Sequence, residues 1–312
     1  MLADGLRQRA WDVHVCGHFS VPALDGFDVI HVHHFGRGAL RVASAAQRPP
    51  FVFTTHDPLA MNHLPVGWKR RLTDSFVLRR SDAVVALSNI ERNFWIQTHV
   101  PPERITVIPN GIDTAIFDRQ PGPAEPGFRL LFVGQLRQFK GLDYLLNALP
   151  AVRAAFPQTA LRVVYQTSAL LDQYKAQTAA LGLDACVDFA GPRTAAGLAH
   201  LYSTSDLVVS PSLGECLSTV VLEAMCCGTA VVATDVGGIR EQMDENSGVI
   251  VPPRDPAALA RAICSLLADT NRRQALGEAA RRKARAQFNV RQMIERHVRL
   301  YEELLRTERQ AA

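Results

Sequence analysis

The sequence predicts an α/β protein made of two doubly wound parallel-sheet domains in tandem. Three observations carry the prediction. Short runs rich in Val and Ile alternate with amphipathic stretches along the whole chain. The strand candidates are almost continuously apolar, as strands covered by helices on both faces must be. The alternation also stops at PGPAEPG (121–127) and then restarts, and a chain of 312 residues is long enough for two cores.

In the first half the expected strands are DVHVC (12–16), DVIHVHH (28–34), FVFTTH (51–56), DAVVALS (82–88) and ITVIPN (105–110). Helical patterns at 36–47, 67–80 and 89–98 fall between them. The three prolines and two glycines of 121–127 mark a linker. In the second half FRLLFVG, LRVVYQ, VDFAG, LVVSPS and AVVATD alternate with helices near 141–155, 169–181, 195–204, 218–227 and 257–268. The expected divisions are an N-terminal domain over 1–120, a second domain over 128–288 and a final helix over 289–312. In open parallel sheets ligands bind at the carboxyl ends of the strands, here expected in a cleft between the domains.

A net charge of +4 is too mild to indicate a nucleic-acid partner. Acidic residues interleave with basic ones in the last helices, which reads as a solvated face. No apolar run approaches the roughly 20 residues that span a bilayer, and MLADGLRQRAWDVHV lacks the apolar core of a signal peptide. Six cysteines without CxxC spacing read as buried reduced thiols, which points to the cytoplasm. The stretch VGWKRRLTDSFVLRR (66–80) mixes Trp68, Leu72, Phe76 and Leu78 with Lys69, Arg70, Arg71, Arg79 and Arg80. Such a helix either lays its apolar face on the sheet or touches anionic lipid at the inner membrane face.

Two segments carry chemistry. In GECLSTVVLEAMCCGTAVVATDVGG (214–238), Glu215 lies in the loop after strand LVVSPS, and Glu223 in the second turn of the next helix. That helix starts near Ser218, and its first amides favour a phosphate, while carboxylates accept from sugar hydroxyls. In FVGQLRQFKGLDYLLNAL, Lys140 sits at a strand-to-helix turn on the same sheet edge, where it can neutralise phosphate. Taken singly, each glutamate also reads as an ordinary loop or helix-interface residue.

Together with VIPNGIDTAIF and SDAVVALS, these segments resemble the family-4 retaining glycosyltransferases of GT-B fold along nearly the whole chain. The resemblance implies two Rossmann-like domains facing a central cleft, with the C-terminal helix crossing back to the N-terminal domain. It implies a hexosyl transfer from a nucleoside-diphosphate sugar to a glycan, lipid-linked or small-molecule acceptor, with no cofactor and no metal. By position, Glu215 would hold hydroxyls of the donor sugar and Glu223 those of the ribose. Lys140 would neutralise the diphosphate, joined by amides at Ser218 and Thr219, and His56 would lie near the reacting centre. His31, His33 and His34 are left as cleft or core residues.

Three departures bear on activity. Gln135 stands after Gly134 where the family has arginine, with Arg137 as a substitute cation. CLST replaces a glycine-bearing stretch after Glu215. The family's first strand and its Gly-rich loop find no counterpart, so the first helix (Met1–Arg9) is expected to be loosely held and interior sheet ladders left open. These departures keep an alternative alive, a non-catalytic nucleotide-sugar-binding or scaffold protein of the same fold. A GT-B epimerase fits the glutamate pair and the lysine loop less well.

Overall fold

The structure is a computed structural model, and it describes residues 1–17, 23–56, 67–98, 100–122 and 126–311. It divides into two compact units, Met1–Gly111 with Val290–Ala312, and Ile112–Asn289. Residues 66 and 123–125, which belong to the sequence segments discussed above, lie outside the described residues.

The first unit holds a parallel sheet in the order β1–β2–β3–β4: Ile30–His33, Phe51–Thr54, Ala83–Ala86 and Ile105–Val107. Helix α1 (Leu2–Arg7) precedes β1, and α2 (Arg37–Ser44), α3 (Trp68–Arg80) and α4 (Asn89–Gln97) link the strands. The period of two along each strand decides what lies on each face. Phe51, Phe53, Val84 and Ala86 join Val42, Val77 and Trp95 in one cluster. Val52, Ala83 and Val85 point the other way, to Leu6, Ile294, Leu300 and Tyr301. Burying a side chain such as Phe51 contributes about 1.5–3 kcal/mol.

Four expectations need correction here. DVHVC (12–16) forms no strand: Val15 is 71% exposed and Val13 only partly buried, so the segment has little apolar surface to hold it in a ladder. Among the described residues the four strands pair without a gap, so no ladder is left open between them. Helix α1 is not loose, because Leu6 is buried and Gly5 lies so close to Ile294 that an added Cβ would sit 2.1 Å from its Cδ1. Cys16 is exposed and Cys264 half-buried, whereas Cys186, Cys216, Cys226 and Cys227 are buried.

The second unit is a six-stranded parallel sheet. Its strands are β5 (Phe128–Val133), β6 (Thr159–Val164), β7 (Val187–Phe189), β8 (Leu207–Ser210), β9 (Val231–Thr234) and β10 (Val249–Val251). Helices α5 (Leu142–Ala155), α6 (Leu171–Ala180), α7 (Ala195–Thr204), α8 (Thr219–Cys226) and α9 (Ile239–Gln242) connect them. Then α10 (Pro256–Ala268) and α11 (Thr270–Gln287) close the unit. The final helix α12 (Val290–Ala311) returns to the first unit and packs on α1.

The strand order is β10–β9–β8–β5–β6–β7. From β5 the chain therefore builds outward through β6 and β7, then crosses over and builds the other way from β8. The reversal lies between β5 and β8, where Leu130 pairs with Leu207 and Leu131 with Val208. Loops leaving these two neighbouring strand ends lead to helices on opposite faces, the position at which open parallel sheets bind ligands.

Candidate functional site

The loops that leave β5 and β8 are Gly134–Gly141 and Pro211–Ser218. The first is anchored by Leu136, which is fully buried in the core beside Leu142 and Leu145. It ends at Gly141, whose φ of +69° suits glycine. A Cβ there would sit 2.0 Å from the Pro211 carbonyl oxygen, so glycine is what lets the two loops meet. The Leu213 N–H donates to the Phe139 carbonyl at 2.7 Å and joins them.

Lys140 and Glu215 face each other across that junction. Lys140 Nζ donates to Glu215 Oε1 at 2.7 Å, and Ser212 Oγ donates to the same oxygen at 2.7 Å. Glu215 is only 6% exposed, so these two partners replace solvent around that oxygen. Beneath it the Thr234 hydroxyl donates to the Ser212 carbonyl and ties the loop to β9. Gly134 lies beside the aliphatic stem of Lys140, and Gln135 and Arg137 are exposed on the same loop.

Helix α8 begins at the far end of the second loop. Ser218 is its N-cap and its hydroxyl accepts from the Val221 N–H at 3.5 Å. The Ser218 amide has another task than the one the sequence suggested. It donates to Gln242 Oε1 at 2.9 Å, while Gln242 Nε2 donates to the Ser218 carbonyl at 2.7 Å. Fully buried Gln242 thus clamps the N-cap from both sides. The amides of Thr219 and Val220 belong to the first helical turn, which has no earlier turn to accept them, and Thr219 is exposed.

Glu223, one turn on, accepts from Tyr202 Oη at 2.8 Å. Tyr202 is fully buried, and its carbonyl accepts from Thr229 Oγ1 at 2.6 Å. Burial pushes the Glu223 carboxyl up to about 7, and the Tyr202 hydrogen bond offsets this only in part. Tyr202 and Gln242 lack any motif of their own. An aromatic in the helix before β8 and an amide 24 residues beyond Ser218 read as ordinary core positions until the fold places them.

His56 lies in the first unit, just after β2. It shares a 3.0 Å hydrogen bond with His33, and its ring lies tilted against that of His34 at 4.6 Å between centroids. Next to it Thr55 donates to the buried Glu91, which also accepts from the Leu87 N–H at 2.6 Å and from the Trp95 indole at 3.3 Å. Burial, with His33, His34 and His297 nearby, depresses His56 to about 3. His31 bonds Tyr301 Oη and Thr54 Oγ1, each at 2.6 Å, and so ties β1 to α12 and β2. Among the described residues no three His, Cys, Asp or Glu side chains converge as metal ligands.

Comparison with known proteins agrees with this architecture. A family model described as "Glycosyl transferases group 1" matches residues 127–269, and one described as "Glycosyltransferase Family 4" matches residues 21–116. The chain is 31% identical over 311 residues to a D-inositol 3-phosphate glycosyltransferase of Thermobispora bispora, covering 89% of this chain and 71% of that protein. The chain belongs to the group 1, family 4 glycosyltransferases.

Other members and structures fill out the picture. A D-inositol 3-phosphate glycosyltransferase of Salinispora arenicola is 33% identical over 294 residues, covering 84% of this chain and 66% of that protein. The chain thus spans about two-thirds of the length of the curated relatives it matches. Among solved structures, a sucrose-phosphate synthase from Thermosynechococcus elongatus superposes with a TM-score of 0.81 at 25% identity, covering 90% of this chain and 75% of that one. Anabaena HepE, solved with UDP and glucose, shares the GT-B fold at a TM-score of 0.78 and 24% identity, with 88% of this chain and 78% of that one covered. In this chain Lys140 and Glu215 lie on the two loops at the switch point of the second sheet, and Glu223 on the helix that follows.

Proposed function

We propose that the chain binds a nucleoside-diphosphate sugar at the β5/β8 switch point and transfers its hexose with retention. The observation that carries the reading is the Lys140–Glu215 contact at that point, with the start of α8 on the same loop. A cation, a carboxylate and a helix N-terminus in one crevice match a ligand that is hydroxyl, then diphosphate, then hydroxyl. Lys140 and the Thr219 amide would hold the diphosphate, Glu215 the sugar, and Glu223 the ribose. The leaving diphosphate itself would help deprotonate the acceptor on the same face of the sugar. Catalysis then rests on positioning and charge stabilisation, with His56 on the acceptor side and no cofactor or metal required. We take UDP-glucose as the first donor to test, because HepE was solved with it. The acceptor is proposed to be a hydroxyl of a glycan, a lipid-linked carrier or a small molecule, and D-inositol 3-phosphate enters the panel because relatives are named for it. The protein would work in the cytoplasm with peripheral contact at the inner membrane face; no helix among the described residues is long and apolar enough to cross a membrane.

Calorimetry on two variants tests the donor assignment. Glu223→Ala should weaken both the bare nucleoside diphosphate and the sugar nucleotide, whereas Glu215→Ala should weaken mainly the sugar nucleotide. Equal losses for both ligands in both variants would reject this division of roles. Release of nucleoside diphosphate on incubation with donors and acceptors tests transfer itself. Binding without release would favour the non-catalytic alternative, which Gln135 in the family's arginine position supports.

A further inference from the structure

Helix α3 carries an apolar stripe that the fold does not use. Val77 and Leu78 are buried and hold the helix on the sheet. Trp68, Leu72 and Phe76 follow one another at a spacing of four, and at about 100° per residue they lie roughly opposite that buried face. Their exposures are 67%, 63% and 41%. The sequence left open whether Trp68, Leu72, Phe76 and Leu78 pack inward; the structure buries Leu78 and turns the other three outward.

The charges sharpen the picture. At the same angular spacing Arg79 falls within the stripe, and Lys69 and Arg71 flank it on either side. All three are exposed. The acidic residue of this helix, Asp74, lies on the inner side and pairs with Arg70 at 3.4 Å. The outer face therefore presents three large apolar side chains set among cations, with no carboxylate of the helix between them. A protein partner with an apolar groove would suit the stripe alone. A surface that is anionic at the headgroups and apolar just below suits both the stripe and its cations.

We infer that the outer face of α3 docks on an anionic lipid bilayer, with Trp68, Leu72 and Phe76 entering the headgroup boundary and Lys69, Arg71 and Arg79 pairing with lipid phosphates. This goes beyond the donor reading and stands on different residues.

The test is sedimentation of the full chain with vesicles of equal parts phosphatidylglycerol and phosphatidylcholine, against phosphatidylcholine alone. Binding is expected to the anionic vesicles only and to weaken as salt rises. Replacing Lys69, Arg71 and Arg79 together by Glu should abolish it, at about fivefold or more per charge removed. The variant Trp68→Ser, Leu72→Ser, Phe76→Ser should also abolish it while leaving the circular dichroism spectrum and nucleotide binding unchanged, since all three positions are exposed. A blue shift of tryptophan emission on binding should vanish in Trp68→Phe, because Trp95 is already buried and Trp11 lies against Tyr301. No sedimentation of the wild-type chain, or full sedimentation of the serine variant, overturns the inference. So does a dimer in sedimentation velocity that the serine variant dissolves, which would make a second copy the occupant.

Discussion

The two units use the same strand–helix repeat and reach different ends. In the second unit the order reverses between β5 and β8, and two adjacent strand ends send loops to opposite faces. In the first, the described strands run β1–β2–β3–β4 in sequence order, and no reversal occurs among them. The reversal places Lys140 against Glu215, residues 75 apart in sequence. The strand ends of the first unit gather histidines instead, with His31, His33, His34 and His56 in ring contact and His297 of α12 beside His31. One unit thus carries an ion pair and the other a group of imidazoles whose burial, aided by their neighbours, disfavours protonation. Strand order, more than strand composition, decides which unit brings a cation and a carboxylate together.

The largest expected effect is at Lys140. Lys140→Ala removes a charge-assisted hydrogen bond worth about 1.5–3 kcal/mol and leaves Glu215 buried without its cation, so nucleotide affinity should fall ten- to a hundredfold. Gln135→Arg, on the exposed part of the same loop, should tighten binding. Calorimetric affinities check both, and an unchanged Lys140→Ala affinity would remove the lysine loop from the site.

The next effect concerns Gln242. Gln242→Leu deletes both hydrogen bonds to Ser218 and leaves the buried Ser218 amide unpaired, at about 1–3 kcal/mol, while the Ser218 carbonyl keeps the Leu222 N–H at 3.2 Å. Thermal unfolding should shift down by several degrees. Nucleotide affinity should fall as well, because the α8 N-terminus loses its clamp. Loss of stability with full affinity would separate the clamp from the ligand site.

A smaller effect follows pH, with opposite signs in the two units. Glu223 has its folded pKa raised from 4.5 to about 7, so the folded protein holds this proton more tightly than the unfolded chain does. Its contribution to stability is present below 4.5 and is lost as pH rises through 7. Ribose hydroxyls donate to the carboxylate form, so affinity for an intact nucleotide sugar should rise with pH across that value. In Glu223→Gln this rise should flatten. His56 has its folded pKa lowered from 6.5 to about 3. It is neutral in both states above 6.5; below that value the unfolded chain takes up a proton that the folded cluster resists, so the first unit should lose stability as pH falls. His31 is shifted in the same direction, chiefly by burial. Denaturation followed at falling pH should show this loss, and His31→Asn should lessen it.

How much of this was legible in the sequence depends on the range of each signal. Apolar runs bounded by turns marked nine of the ten strands among the described residues, and the three-residue β10 escaped because VIV is too short for a period to register. DVHVC shows the converse failure, since alternation without burial makes no strand. Lys140, Glu215 and Glu223 were legible because each sits inside a local motif. Gln242 and Tyr202 were not, because their roles exist only once the fold brings α9 to Ser218 and α7 to Glu223. The outward turn of Trp68, Leu72 and Phe76 was equally hidden, since a helix pattern shows a stripe without saying which way it faces.

The central claim is that the switch point of the second unit holds the donor. It is tested most directly by expressing residues 112–289 alone and titrating in UDP-glucose. Saturable binding comparable to that of the full chain, lost on Lys140→Ala, is the result the account predicts. A folded unit that binds no nucleotide sugar while the full chain does would contradict it.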